Sequence, residues 1–162
     1  MRLLQRAGAR HLLGADLDAG ALRRFTAMGG EAASLADIMG KADIVIATTG
    51  RRGLIAPESV RKGQIIFALS NPDPEIEPVA ALACGAAFAA DGKGINNLLG
   101  FPGLFKGVLA ARAPRFTDAM LLAAAGAIAE LARGEDLVPD PLDRGVHQAV
   151  AEAVSRSWRS GA

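Results

Sequence analysis

Three asparagines stand where side-chain chemistry would be best placed. Asn71 lies in Ser70-Asn71-Pro72-Asp73-Pro74-Glu75, directly after the apolar run Gln64 to Leu69, and Asn96-Asn97 precede Phe101-Pro102-Gly103. A carboxamide offers two donors and an acceptor without charge, which suits a carboxylate or the amide of a nicotinamide ring. Pro72 and Pro74 fix their own φ and keep the residue before each of them out of the helical region. Such a turn can hold Asn71 at the carboxyl end of a buried strand, where open α/β sheets bind ligands. Asparagine is also an ordinary turn residue, which accounts for any one of them better than for all three.

Two further groups fall at strand ends. Asp16 closes a short apolar run, where the acid of a dinucleotide fold accepts hydrogen bonds from the adenosine ribose. An acid there favours NAD, while Arg23 and Arg24 near the same end leave NADP open. Asp18 either takes that role or caps the following helix. Thr48-Thr49-Gly50 follows the next strand; glycine lets the backbone approach a ligand, and threonine hydroxyls can bond its ribose or phosphate. Lys41 and Lys62 read as solvated lysines, and Lys106, a lone lysine after Phe-Pro-Gly, is weak evidence for a phosphate contact. His11 and His147 have no third ligand spaced to join them, so no metal site is expected in this chain. Cys84, among Ala81, Leu82, Ala83, Gly85 and Ala86, is expected to be a buried small hydrophobe, and Trp158 a packing anchor.

The elements that must position these residues follow from periodicity and stop signals. Met1 to Ala7 reads as the end of a helix, and His11 to Ala15 as a short buried strand. Ala19 to Met28 is helical and closed by Gly29-Gly30; Ser34 caps a short helix through Met39, with Gly40 after it. Asp43 to Ala47, Gln64 to Leu69 and Ala86 to Ala90 are strands, with a helical turn at Pro57 to Val60 and a helix at Val79 to Cys84. Short apolar strands alternating with helices predict an α/β fold with a Rossmann-like parallel sheet flanked by helices on both faces. The rest is helical. Leu104 to Ala111 follows the Phe-Pro-Gly turn, Thr117 opens a helix to about Ala132 with a stripe of Met120, Leu121, Ala124, Ile128 and Leu131, and Gly134 ends it. A last helix runs from about Asp143 to Trp158.

Composition narrows the function classes. In 162 residues, 18 Lys and Arg face 17 Asp and Glu, a net charge of +1 that gives no general attraction to nucleic acid or an anionic membrane. The single cysteine excludes an internal disulfide and fits a reducing cytoplasm. No apolar run approaches the length of a membrane span. Residues 1–162 read as one domain, yet a dinucleotide fold should open with a strand and a Gly-x-Gly-x-x-Gly turn. Neither Gly29-Gly30 nor Gly92-x-Gly94 has that spacing. The chain is therefore expected to be the carboxyl portion of a larger enzyme, lacking the first strand and its Gly-rich turn.

Ala68-Leu69-Ser70-Asn71-Pro72-Asp73-Pro74-Glu75 and the run Asn96-Asn97-Leu98-Leu99-Gly100-Phe101-Pro102-Gly103-Leu104-Phe105-Lys106-Gly107 resemble the nicotinamide-binding domain of malic enzymes. Met120 to Glu130 and Leu137 to Asp143 are similar to bacterial members. The resemblance implies oxidation of malate with NAD or NADP and decarboxylation to pyruvate. It implies that Asn71, Asn96 and Asn97 bond the substrate carboxylates and border the nicotinamide, that Asp16 is the ribose acid, and that Thr48, Thr49 and Gly50 line the cofactor groove. A divalent metal, Mg or Mn, would stabilise the enolate formed as carbon dioxide leaves. The tyrosine acid, lysine base and metal ligands of the family are expected upstream of Met1, so no catalytic residue is assigned here. Asp91-Gly92-Lys93-Gly94 stands where many members have a longer segment. A homo-oligomeric complete enzyme is also implied. The alternatives are a non-catalytic nucleotide-binding or regulatory module and, on Thr48-Thr49-Gly50 alone, another Rossmann dehydrogenase or hydrolase.

Overall fold

Residues 1–95, 97–133 and 138–160 are described by a computed structural model. They fall into two compact units, Met1–Ile95 and Asn96–Ala162. The first opens with helix α1 (Arg2–Arg6), strand β1 (Leu13–Gly14), helix α2 (Ala19–Ala27) and strand β2 (Glu31–Ala32). β1 and β2 pair in parallel, and Phe25 of α2 lies over the backbone of Gly14 and Gly30. The expected strand from His11 to Ala15 is thus shorter, and half-buried rather than buried. β2 escapes sequence reading because Glu-Ala carries neither β-branching nor alternation.

Helix α3 (Leu35–Lys41) follows, with the Ser34 hydroxyl accepting from the Asp37 amide at 3.0 Å. It passes through Gly40 instead of stopping there. Its terminal carbonyls are held from outside: Gln64 Nε2 and Arg61 Nη2 each donate to the Ala42 carbonyl at 2.7 Å. Then come β3 (Ile44–Ala47), a single 3-10 turn (Pro57–Ser59), β4 (Ile65–Ala68), α4 (Pro78–Ala83) and β5 (Phe88–Asp91). These three strands form a parallel sheet in the order β3-β4-β5. Its register places Ala47, Ala68 and Asp91 in one row, so the three chains leave the sheet side by side.

One face of this sheet, carrying Val45, Ala47, Ile66 and Ala68, packs with Met39, Ile55, Ile76 and Ala81 into a core. Burying a side chain such as Ile66 contributes about 2 kcal/mol. On the other face Ile44 and Ile46 remain 54% and 50% exposed, which corrects the expectation of cover on both faces. The helices α3 and α4 of this unit supply apolar side chains to the first face. Cys84 also departs from expectation, being free and exposed. It ends α4, whose buried side is provided by Ala81.

The second unit holds a 3-10 turn (Asn97–Leu99) and helices α5 (Phe101–Ala110), α6 (Asp118–Leu131) and α7 (Arg144–Ser160). Phe101-Pro102-Gly103 is the first turn of α5 rather than a turn before it, since proline is tolerated at the start of a helix. Thr117 caps α6 by accepting from the Met120 amide at 3.2 Å. α7 packs on both α5 and α6 around Val108, Met120, Ala124, Val146, Val150 and Val154, with Trp158 against this core. The expected stop at Gly134 and the tail residue Leu137 lie outside the described residues. No helix among the described residues is long and apolar enough to cross a membrane.

Candidate functional site

The row formed by Ala47, Ala68 and Asp91 brings three of the sequence motifs to one sheet edge: Thr48-Thr49-Gly50 after β3, Ser70-Asn71 after β4, and Asp91-Gly92 at the end of β5. A buried carboxylate ties the first two together. Glu75 is 0% exposed, and its Oε1 accepts from the Thr49 amide at 2.6 Å, the Thr49 hydroxyl at 2.8 Å and the Ser70 hydroxyl at 2.6 Å. Its Oε2 faces the Ser70 amide at 3.4 Å. Ser70 Oγ in turn accepts from the Gly50 amide at 2.7 Å. Main-chain bonds from Gly53 to Pro74 and from Ile55 to Glu75 complete the lacing of the two loops.

Burial raises the pKa of Glu75, but the hydrogen bonds from Ser70 and from the amide and hydroxyl of Thr49 outweigh it, and the carboxyl titrates below its ordinary value of 4.5. A group whose folded pKa is depressed stabilises the fold above its unfolded pKa and loses that contribution as pH falls through the folded one. The unfolding free energy is therefore expected to decline as pH drops below about 4.5. Glu75→Gln should flatten that part of a urea-unfolding profile. An unchanged acid slope in the variant would contradict the assignment. Asp37, held down by Ser34 and Lys41, keeps its own contribution in both proteins.

The lacing bears on what the Thr48 turn can offer a ligand. The amide and hydroxyl donors of Thr49 and the amide of Gly50 are engaged within the protein, and Thr49 Oγ1 also accepts from the Arg51 amide at 3.2 Å. Thr48, Thr49 and Gly50 are all exposed at the sheet edge. Asn71 is exposed as well, and its peptide bond to Pro72 is cis. Its carboxamide lies against Gly92: a Cβ built on Gly92 would come within 2.6 Å of Asn71 Nδ2 and of the Leu69 carbonyl. Asp91 closes the loop beyond, with Oδ1 accepting from the Lys93 and Gly94 amides at 3.0 and 2.9 Å.

Asp16 and Asp18 divide the two roles open to them. Asp18 caps α2, accepting from the Gly20 amide at 2.7 Å, with Arg24 3.7 Å away. Asp16 lies just beyond β1, exposed, with Oδ1 accepting from the Asp18 amide at 2.9 Å. Asn97 opens the 3-10 turn of the second unit, and Asn96 lies outside the described residues. Lys106 Nζ donates to Gln148 Oε1 at 2.5 Å. Among the described residues no group of three His, Cys, Asp or Glu could hold a metal ion.

Glu75 and Gly92 were not singled out by sequence reasoning. A glycine directly after a strand is a signal of close backbone approach and could have marked Gly92. Sequence reading missed Glu75 because, although Ser70 lies five residues before it, its other partner, Thr49, leaves the neighbouring strand 26 residues away.

Comparison with known proteins bears on the family. Residues 78–155 match the family described as malic enzyme, NAD binding domain. The chain is 51% identical over 157 residues to NAD-dependent malic enzyme 1 of Bacillus subtilis, covering 96% of this chain and 36% of that protein. It is 43% identical over 115 residues to the NADP-dependent malic enzyme of Rhizobium meliloti, covering 66% and 15%. The crystal structure of Entamoeba histolytica malic enzyme superposes with a TM-score of 0.81 at 28% identity, covering 99% of this chain and 40% of that one. The chain thus spans about a third of the length of the Bacillus relative.

Proposed function

We propose that this chain, which belongs to the malic enzyme family through its NAD-binding domain, serves as the nicotinamide-nucleotide-binding part of an enzyme that oxidises malate and decarboxylates the product to pyruvate. The observation that carries this reading is the aligned row of strand ends that gathers Thr48, Gly50, Asn71 and Gly92. Residues 1–162 act together as one such domain, within a homo-oligomer of the complete enzyme.

The edge fits a nucleotide. Because Gly92 has no Cβ, the Asn71 carboxamide lies directly against its backbone at the strand ends, and an uncharged amide pairs with a nicotinamide amide or a substrate carboxylate. NAD or NADP, when bound, supplies the hydride acceptor. Thr48 and the exposed backbone of Gly50 border it, while Asp16 accepts from a ribose hydroxyl. Asn71 orients a substrate carboxylate, and Asn96 and Asn97 are the further candidates for that role. The described residues do not fit a divalent metal, and the proton-transfer groups and metal ligands would belong to the remainder of an enzyme of the relatives' length.

Calorimetry of the purified chain with NAD and with NADP tests the reading. Measurable binding of at least one nucleotide is expected, without malate-dependent reduction in the presence of Mg or Mn. Failure to bind either at millimolar concentration would sink the nucleotide assignment, and robust turnover by the chain alone would sink the division of labour.

A further inference from the structure

We propose that Glu75 is a positioning residue, which sets the spacing of the two strand-end turns that border the nucleotide and thereby its affinity. The inference rests on the nucleotide reading above and names a residue outside the contact set. Its ground is geometric. A fully buried carboxylate oxygen takes three hydrogen bonds of 2.8 Å or less, two from Thr49 and one from Ser70, on turns 20 residues apart along the chain or more. Ser70 passes the constraint on, because its hydroxyl donates to Glu75 and accepts from the Gly50 amide. The neighbour of Ser70 is Asn71, and the neighbour of Thr49 is Thr48. Both ligand-facing residues therefore hang from the same carboxylate.

The chemistry explains why an acid is needed. A single ionised oxygen can accept three donors at once, and charge-assisted bonds are short and strong. A neutral amide in its place accepts more weakly and turns a donor toward the Ser70 amide. Other charged groups near these turns are Arg51, Arg52, Asp73 and Glu77, all exposed, with Arg52 Nη1 3.8 Å from Asp73 Oδ1, and the half-buried Asp91. None replaces Glu75 as an acceptor for Thr49.

Two measurements on the full 162-residue chain decide the matter. The first follows the amide NMR signals of Thr49 and Gly50 against pH, in the wild type and in Glu75→Gln and Ser70→Ala. A shared titration of both amides in the wild type, absent in Glu75→Gln, is expected. The second is calorimetry with NAD at neutral pH, where Glu75→Gln should weaken binding about tenfold while its circular dichroism stays that of the wild type. Ser70→Ala should weaken binding less and keep the Thr49 titration. Wild-type affinity in a folded Glu75→Gln, or an unchanged titration of the Thr49 amide in it, overturns the proposal. If the wild type binds NADP and not NAD, the same comparison is made with NADP; if it binds neither, the nucleotide reading falls, and the amide titration alone then decides whether Glu75 sets the turns. Should Glu75→Gln not fold, Ser70→Ala replaces it: loss of the Gly50 titration with weakened NAD binding supports the proposal, and full retention of both refutes it.

Discussion

Replacing Gly107 by alanine lowers the stability of the three-helix unit by about 2 kcal/mol. On helical propensity alone the change should gain about 1 kcal/mol, since glycine is a poor helix former. Sterics decide against it. A Cβ at Gly107 would stand 2.6 Å from the Ala151 carbonyl and 2.7 Å from Val154 Cβ, and at Gly103 it would meet the His147 carbonyl and Val150 Cβ at 2.7 Å. Two of the four atoms are helix backbone, so relief requires α5 to move away from α7. That opens a seam lined by Val150 and Val154, both fully buried. Trp158, the single tryptophan, packs in this unit, so denaturant unfolding followed by its fluorescence reads the effect. Gly126→Ala on α6, with nothing within 4 Å, is the control and should stabilise. A Gly107→Ala protein as stable as the wild type would show that the close approach is not a constraint.

Gly92→Ala should weaken nucleotide binding between about tenfold and a hundredfold, the scale on which misplacing a positioning group by an ångström acts. The new Cβ conflicts with the Leu69 carbonyl, which belongs to the strand exit and cannot yield alone, and with the Asn71 amide nitrogen, which can swing aside. The carboxamide is therefore driven out of place. Asn71→Ala removes the carboxamide without strain. If Gly92 acts through Asn71, the double variant binds NAD no worse than Gly92→Ala alone. Additive losses in affinity would mean that Gly92 touches the nucleotide by another route.

Much of this architecture was legible locally. The β-branched and apolar runs at residues 44–47 and 65–68 are strands for reasons contained within them. The caps at Ser34 and Thr117 start helices where their hydroxyls reach backbone amides three residues on. Asp18 was readable as a cap, and Asn71 as the residue leaving β4. The apolar stripe of α6 was readable because a helix repeats its face every few residues, and Met120 and Ala124 are indeed buried. Residues that depend on partners across the sheet were less accessible. Cys84 looked buried from its neighbours in sequence, but those neighbours do not fix which side of α4 faces the core. Phe101-Pro102-Gly103 looked like a turn, because proline and glycine mark both turns and helix starts.

The sequence by itself carried the family, through the resemblance of residues 68–75 and 96–107 to malic enzymes, and the parallel α/β plan, through short apolar runs alternating with helices. It also nominated Asp16, Thr48, Thr49, Gly50, Asn71, Asn96 and Asn97 as candidate contacts, because each of these rests on a pattern a few residues long. Tertiary structure decided how the contacts are held. It buried Glu75 between two turns, engaged the donors of Thr49 and Gly50, laid Asn71 on Gly92 and left one face of β3 open. The physical reason is register: Ala47, Ala68 and Asp91 meet only because three strands pair in parallel at one offset, and no local propensity records that offset.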